Sequence, residues 1–342
     1  MVKGTKIVVN LSEYEIIELA EYVAKAIQKD YVEVASLYHW PEKVQWIPRD
    51  YDPKKPPEFK KFAKNKTFGL ITTLNLRMKM AQLWEIICAQ TDLPPLDFLN
   101  GNIKTNLKNE EIKNEDVNKV RFIKTVLAWG KINQFNNISQ CISLADKLDN
   151  LTSAPIDIAL YEALGKTVPS WSKFLAFSRP DVFAIYDSRV AYRLNTILVN
   201  ELEEGNQSEL LRNFSFYMPK PRFGITLAET RRELLDNLKS KFEKSCSSSK
   251  TAIAECYLIY IKVVELVAKE FQNKNIGQAK NEDIARVKQK VEMTLFTTGK
   301  IASDDYKKKY MKEATNDDAW EKRDTKDFEC SKGIDKFLNQ YK

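Results

Sequence analysis

Histidine is almost absent: His39 is the only one among the 342 residues of this chain. That removes several chemistries at once. A His-rich metal cage and a paired-histidine phosphodiesterase centre each need more than one imidazole, and a Ser-His-Asp triad has little room to form around this one. His39 stands in Tyr38-His39-Trp40-Pro41, which reads as a helix end beside a turn, where a structural histidine is the ordinary occupant. Any catalysis therefore falls to carboxylates or lysines. Cysteine is scarce too. Cys88, Cys141, Cys246, Cys256 and Cys330 are scattered without metal-ligand spacing, which argues against a zinc site, a disulfide frame or an iron–sulfur cluster. No metal and no cofactor is expected. Glycine is limited to ten residues, and no apolar run approaches the length needed to cross a bilayer. The N-terminus lacks the layout of a secretory signal, so a folded, cytoplasmic protein without a membrane partner is expected.

What the chain does have is a modest excess of positive charge, +7, from 54 Lys and Arg against 47 Asp and Glu. Distribution says more than the total. Residues 52–66 interleave cations, Lys60 and Lys61 among them, with Phe59, Phe62 and three prolines. Such a stretch suits a loop that touches phosphates and stacks on a base, and it equally suits a solvated linker stiffened by proline.

Helical signals dominate. Ser12-Glu13-Tyr14-Glu15 ahead of Ile16, Leu19, Ala20, Val23 and Ile27 is a capping box opening a long amphipathic helix. A second helix is expected over 70–89, with Leu74, Met78, Ala81, Leu83 and Ile86 near one side, before a break at Leu93-Pro94-Pro95. Residues 100–119, rich in Asn, Lys and Glu, read as a mobile excursion and the best boundary. Further helices are expected over 120–129, 139–148, 155–164, 169–178, 188–200, 226–246, 252–271 and 283–297. Strand signals are confined to 6–9 and 68–72. The tail after Ala302 alternates charges and offers Phe337 and Leu338 as its only core formers, as an appendage would. The expected organisation is an N-terminal helical region over 1–119, a helical domain over 120–302 and a charged appendage over 303–342.

The most informative segment runs from Pro180 to Leu194. An apolar approach (Val182, Phe183, Ile185) leads to Asp187, and Val190, Ala191, Leu194, Ile197 and Leu198 then recur at the spacing of one buried helix face. Asp187 therefore reads as a helix N-cap, a role worth about 1 kcal/mol. Tyr186-Asp187-Ser188-Arg189-Val190-Ala191-Tyr192-Arg193-Leu194 also resembles the Asp-(Ser/Thr)-(His/Arg)-Val-x-x-x-Leu element of the helix-hairpin-helix DNA glycosylases. Upstream, the run from Gly165 to Phe177 is similar to the hairpin and following helix of bacterial proteins with the 8-oxoguanine DNA glycosylase fold, with Lys173 at the family lysine. Val126-Leu127-Ala128-Trp129-Gly130-Lys131 resembles their Trp-Gly segment. Tyr257-Leu258-Ile259-Tyr260 and Val291-Glu292-Met293-Thr294-Leu295-Phe296 resemble their closing helices. The resemblance covers roughly 120–300, interrupted between Asn200 and Ala252. It departs at the hairpin, where Gly165-Lys166-Thr167 replaces the usual Gly-Val-Gly and leaves backbone approach to a phosphate less assured.

The resemblance implies a mainly α protein, a helix-hairpin-helix glycosylase-like bundle with an additional, largely helical N-terminal region. It implies Asp187 as the catalytic carboxylate. Breaking an N-glycosidic bond develops positive charge on the sugar, and a unit negative charge at roughly 4 Å in an effective dielectric near 20 stabilises it by on the order of 4 kcal/mol, almost a thousandfold in rate. Lys173 has two possible roles: a nucleophile forming a Schiff base that leads to strand cleavage, or a protonated amine assisting the leaving base or a phosphate. Its spacing of fourteen from Asp187 is shorter than that typical of the bifunctional members, so the resemblance favours the monofunctional route to an abasic site. Trp129, Trp171 and Tyr186 are candidate walls for a flipped base, or plain core. Lys166, Thr167, Ser170 and Arg189 are candidates for gripping DNA. The implied partner is double-stranded DNA carrying a modified base, either a hypermodified cytosine such as glucosylated hydroxymethylcytosine of phage DNA, met in anti-phage defence, or an oxidised guanine in repair. A non-catalytic reader of modified DNA and a helical interaction protein are the rival classes. Nothing in the sequence sets the oligomeric state.

Overall fold

The computed structural model describes residues 11–37, 40–41, 67–68, 70–90, 92–96, 99, 117–130, 132, 165–219, 250–310 and 338–339. These residues are mainly helical. In chain order they form α1 (Glu13–Leu37), β1 (Trp40–Pro41), β2 (Thr67–Phe68), α2 (Leu70–Ala89), α3 (Val117–Trp129), a 3-10 turn (Gly165–Thr167), α4 (Val168–Ser178), α5 (Ser188–Glu203), α6 (Glu209–Asn213), α7 (Lys250–Asn273), a second 3-10 segment (Ile276–Asn281) and α8 (Ile284–Tyr310). The strands are two residues each and pair antiparallel, Trp40 opposite Phe68. The strand expected over 68–72 therefore shrinks to Thr67–Phe68, because Leu70 already starts a helix. The expectations over 6–9, 139–148, 155–164 and 226–246, together with most of the 100–119 excursion, lie outside the described residues.

Two compact units emerge, and they do not follow the linear division at 119 and 302. The first holds α1, the 165–172 stretch, 181–219, α7 and α8; the second holds β1, β2, α2, α3, 173–180 and Leu338. α4 contributes to both. The N-terminal helix is thus not a separate region but part of the first unit, and the reason is its buried stripe. Leu19, Ala20, Val23, Ala24, Ile27, Tyr31 and Val34 recur every three or four residues and are all buried. Each large apolar side chain so covered contributes about 2 kcal/mol. Tyr31 meets Phe271 of α7 edge-on at 4.7 Å and takes the Lys290 ammonium of α8 over its ring at 4.7 Å. The capping box forms as expected: Ser12 N–H donates to Glu15 Oε2 at 2.7 Å, and Glu15 N–H donates to Ser12 Oγ at 3.3 Å. α8 continues without a break past Ala302 to Tyr310.

In the second unit, the buried side of α2 is Leu70, Thr73, Leu74, Arg77, Met80, Ala81, Leu83, Trp84 and Ile87. Met78 and Ile86, expected there, are only half-buried. The stripe was concealed because a threonine and an arginine sit on it. Arg77 is fully buried; its guanidinium donates to the Ala176 carbonyl at 3.3 Å and lies 5.5 Å from the centre of the Phe177 ring. Trp84, Phe122 and Phe174 form an aromatic cluster, with Trp84 at 4.8 and 5.2 Å from the other two. Asn118 holds the proline break, accepting from Leu96 N–H at 2.9 Å and donating to the carbonyls of Leu93 and Pro94. Among the described residues no helix is long and apolar enough to cross a membrane.

Candidate functional site

After α4 the chain runs through a non-helical approach, 181–187, into α5. Most of this segment is buried, so its peptide groups need partners that neither a helix nor a sheet supplies. Side chains supply them. Lys288 Nζ donates to the carbonyls of Asp181 and Val182. Tyr257 Oη donates to Ala184 O at 3.1 Å, and Tyr260 Oη to Ile185 O at 2.9 Å. Ile185 N–H donates to Glu292 Oε2 at 2.9 Å. Ser172 Oγ accepts from Tyr186 N–H at 2.9 Å and donates to Tyr186 O at 3.3 Å. Burial holds the Lys288 amine below the ordinary lysine range, with Glu265 and Asp181 pulling the other way.

At the end of this approach stands Asp187, extended at φ −119°, the N-cap of α5. Its Oδ1 accepts from Arg189 N–H at 2.9 Å and Val190 N–H at 3.2 Å, as the sequence implied. Its Oδ2 is 3.5 Å from the Arg189 guanidinium, which also lies 3.9 Å from the centre of the Phe296 ring. Asp187 is only 6% exposed, whereas the Arg189 side chain is one-third exposed. The arrangement is a carboxylate with one oxygen pinned by a helix N-terminus and the other covered by a surface-reaching cation. α5 itself is pressed onto α8 at Gly299: a Cβ there would lie 2.3 Å from the Arg189 carbonyl oxygen.

Lys173 is 7% exposed, not a surface helix residue. Its stem crosses Gly130, where a Cβ would lie 2.4 Å from Lys173 Cδ and 3.0 Å from Cε. The Trp-Gly pair thus has a local reason: glycine makes room for this lysine, while Trp129 packs on Phe177 at 4.7 Å. Trp129 and Lys173 belong to the second unit; Trp171, Tyr186 and Asp187 belong to the first.

The three candidate base-pocket aromatics are core residues. Tyr186 donates its hydroxyl to the Tyr217 carbonyl and packs against Tyr257 and Tyr260, and Trp171 is almost wholly covered. Of the candidate DNA contacts, Lys166 and Thr167 lie in the 3-10 turn before α4, with Thr167 half-buried. Ser170 is buried on α4. His39, Lys60 and Lys61 lie outside the described residues. Among the described residues, no group of three His, Cys, Asp or Glu is placed to hold a metal ion.

Sequence reasoning missed Ser172, Lys288, Asn195 and the hydroxyl roles of Tyr257 and Tyr260. One signal was present: two tyrosines at i and i+3 inside an otherwise apolar helix need polar partners. Asn195, at full burial on α5, accepts from Phe216 N–H at 2.8 Å and donates to Phe216 O at 2.9 Å. No protein-family model, no curated protein and no solved structure matches this chain.

Proposed function

We propose that the chain is a DNA glycosylase that flips a modified base out of duplex DNA and hydrolyses its N-glycosidic bond, with Asp187 as the carboxylate beside the anomeric carbon. The observation that supports this reading is the fixation of Asp187: it caps α5 through Oδ1 while Oδ2 faces a partly exposed cation, the Arg189 guanidinium. A charge held in place before the reaction loses nothing to reorganisation in the transition state. For Oδ2 to meet a sugar carbon, Arg189 must withdraw. A DNA phosphate competes for that guanidinium and gives the withdrawal a cause.

In this reading the product is an abasic site and Lys173 assists as a protonated amine; the alternative is a Schiff-base lyase with Lys173 as neutral nucleophile. The proposed target is a bulky hypermodified cytosine such as glucosylated hydroxymethylcytosine in phage DNA, the second candidate being an oxidised guanine. A non-catalytic reader of modified DNA is favoured by one observation, the engagement of both Asp187 oxygens within a residue only 6% exposed. The test is mass spectrometry of bases liberated from glucosylated phage DNA, 8-oxoguanine DNA and unmodified DNA, with borohydride added in parallel. Release from the first substrate without a trapped adduct is expected. Trapping makes Lys173 the nucleophile, and salt-sensitive binding with no release makes the chain a reader.

A further inference from the structure

The peptide groups that precede Asp187 are held with unusual completeness. The unit joining Ala184 to Ile185 has its carbonyl bonded by Tyr257 at 3.1 Å and its N–H by Glu292 at 2.9 Å. The unit joining Ile185 to Tyr186 has its carbonyl bonded by Tyr260 at 2.9 Å and its N–H by Ser172 at 2.9 Å. Two consecutive peptide planes are thus gripped on both sides, by side chains from α4, α7 and α8. An N-cap needs none of this, since its bonds to Arg189 and Val190 lie within its own helix. Burial asks that these groups be paired, and pairing them with side chains from three helices also fixes the rotation of each plane. What such a grip does fix is the course of the chain into Tyr186, and the following plane, whose carbonyl accepts from Ser172 Oγ at 3.3 Å, carries that setting on to Asp187.

We propose that Ser172, Tyr257, Tyr260 and Glu292 are positioning residues for Asp187. They set the planes that lead into it, and their catalytic effect rests on the glycosylase reading above. Glu292 acts on this peptide as an acceptor, so the grip on the Ile185 N–H needs an oxygen at that place. Tyr260 acts through one hydroxyl.

The wild-type chain is compared with Tyr260→Phe, Glu292→Leu and Glu292→Gln. Two readouts are taken: amide hydrogen exchange at Arg189 and Val190, which reports the Asp187 cap, and single-turnover base release alongside DNA affinity. In Tyr260→Phe and Glu292→Leu the two amides exchange on the order of tenfold faster, as loss of one hydrogen bond's worth of local stability implies. Base release falls on the order of a hundredfold at unchanged DNA affinity, the scale of a misplaced reacting group. Glu292→Gln, which keeps an acceptor oxygen, restores both. Wild-type exchange and wild-type release in Tyr260→Phe would overturn the proposal, as would a Glu292→Gln as damaged as Glu292→Leu. Should Glu292→Leu not fold, Tyr260→Phe decides, since it removes a single oxygen. A wild-type chain that releases no base removes the glycosylase reading instead, and the positioning role then stands or falls on the exchange of the two amides.

Discussion

Replacing Gly299 with alanine should push α8 away from the first turn of α5. The added Cβ would stand 2.3 Å from the Arg189 carbonyl oxygen, 2.9 Å from its carbonyl carbon and 3.3 Å from Arg193 Cβ. The first two are main-chain atoms of a capped helix, so no rotamer change relieves the clash. Against this, alanine in an unobstructed helix is favoured over glycine by about 1 kcal/mol. Overpacking a fitted interface costs about 1–3 kcal/mol, and an immovable backbone obstacle belongs at the upper end. The net expectation is a destabilisation of about 2 kcal/mol, with the sign set by the clash. Urea denaturation monitored by circular dichroism gives the midpoint and slope. A lower midpoint at unchanged slope is expected. A midpoint equal to or above wild type would show that α5 and α8 do not approach this closely, and the described setting of Arg189 and Asp187 would fail with it.

Two further outcomes follow from buried polar groups. Asn195→Ala strips both partners from Phe216 in a fully buried site, and with each orphaned backbone group costing about 1–3 kcal/mol the loss should be about 3 kcal/mol; a loss below about 1 kcal/mol in the same denaturation assay would refute the clamp. Lys288→Met tests a pH dependence. The Lys288 amine is lowered, chiefly by burial, from the ordinary 10.5. Between its lowered value and 10.5 the unfolded chain binds more protons than the folded one, so this residue adds stability as pH rises through that window. The stability of wild type relative to Lys288→Met should therefore increase from neutral pH towards 10.5. A difference that stays flat, or shrinks, contradicts it.

Local patterns were legible and distant partners were not. The capping box at Ser12 and Glu15, the start of α5 at Ser188 and the limits of α2 are all written in residues three or four apart. The clamp around Asp187 joins Ser172 to Tyr186 across 14 positions, Tyr257 to Ala184 across 73 and Glu292 to Ile185 across 107. Hydrophobic periodicity reports which side of a helix faces inward, not which backbone group a buried hydroxyl meets. The same limit explains α2, where Arg77 lies on the buried stripe and meets Ala176 and Phe177, roughly a hundred positions on. It explains Lys173 as well: a lysine on a short helix reads as exposed until Gly130 is seen to clear a path for its stem. The placement of α1 with α7 and α8 also rests on distant contacts, Tyr31 with Phe271 foremost.

The most direct measurement is base release by Asp187→Asn beside wild type on the same modified DNA. Asparagine is as good an N-cap as aspartate, so α5 keeps its start and melting changes little. Only the charge is lost. A unit charge at roughly 4 Å in an effective dielectric near 20 is worth on the order of 4 kcal/mol, so release should fall by about a thousandfold with DNA binding retained. Equal release by the two proteins would remove Asp187 from the chemistry and leave it a helix cap.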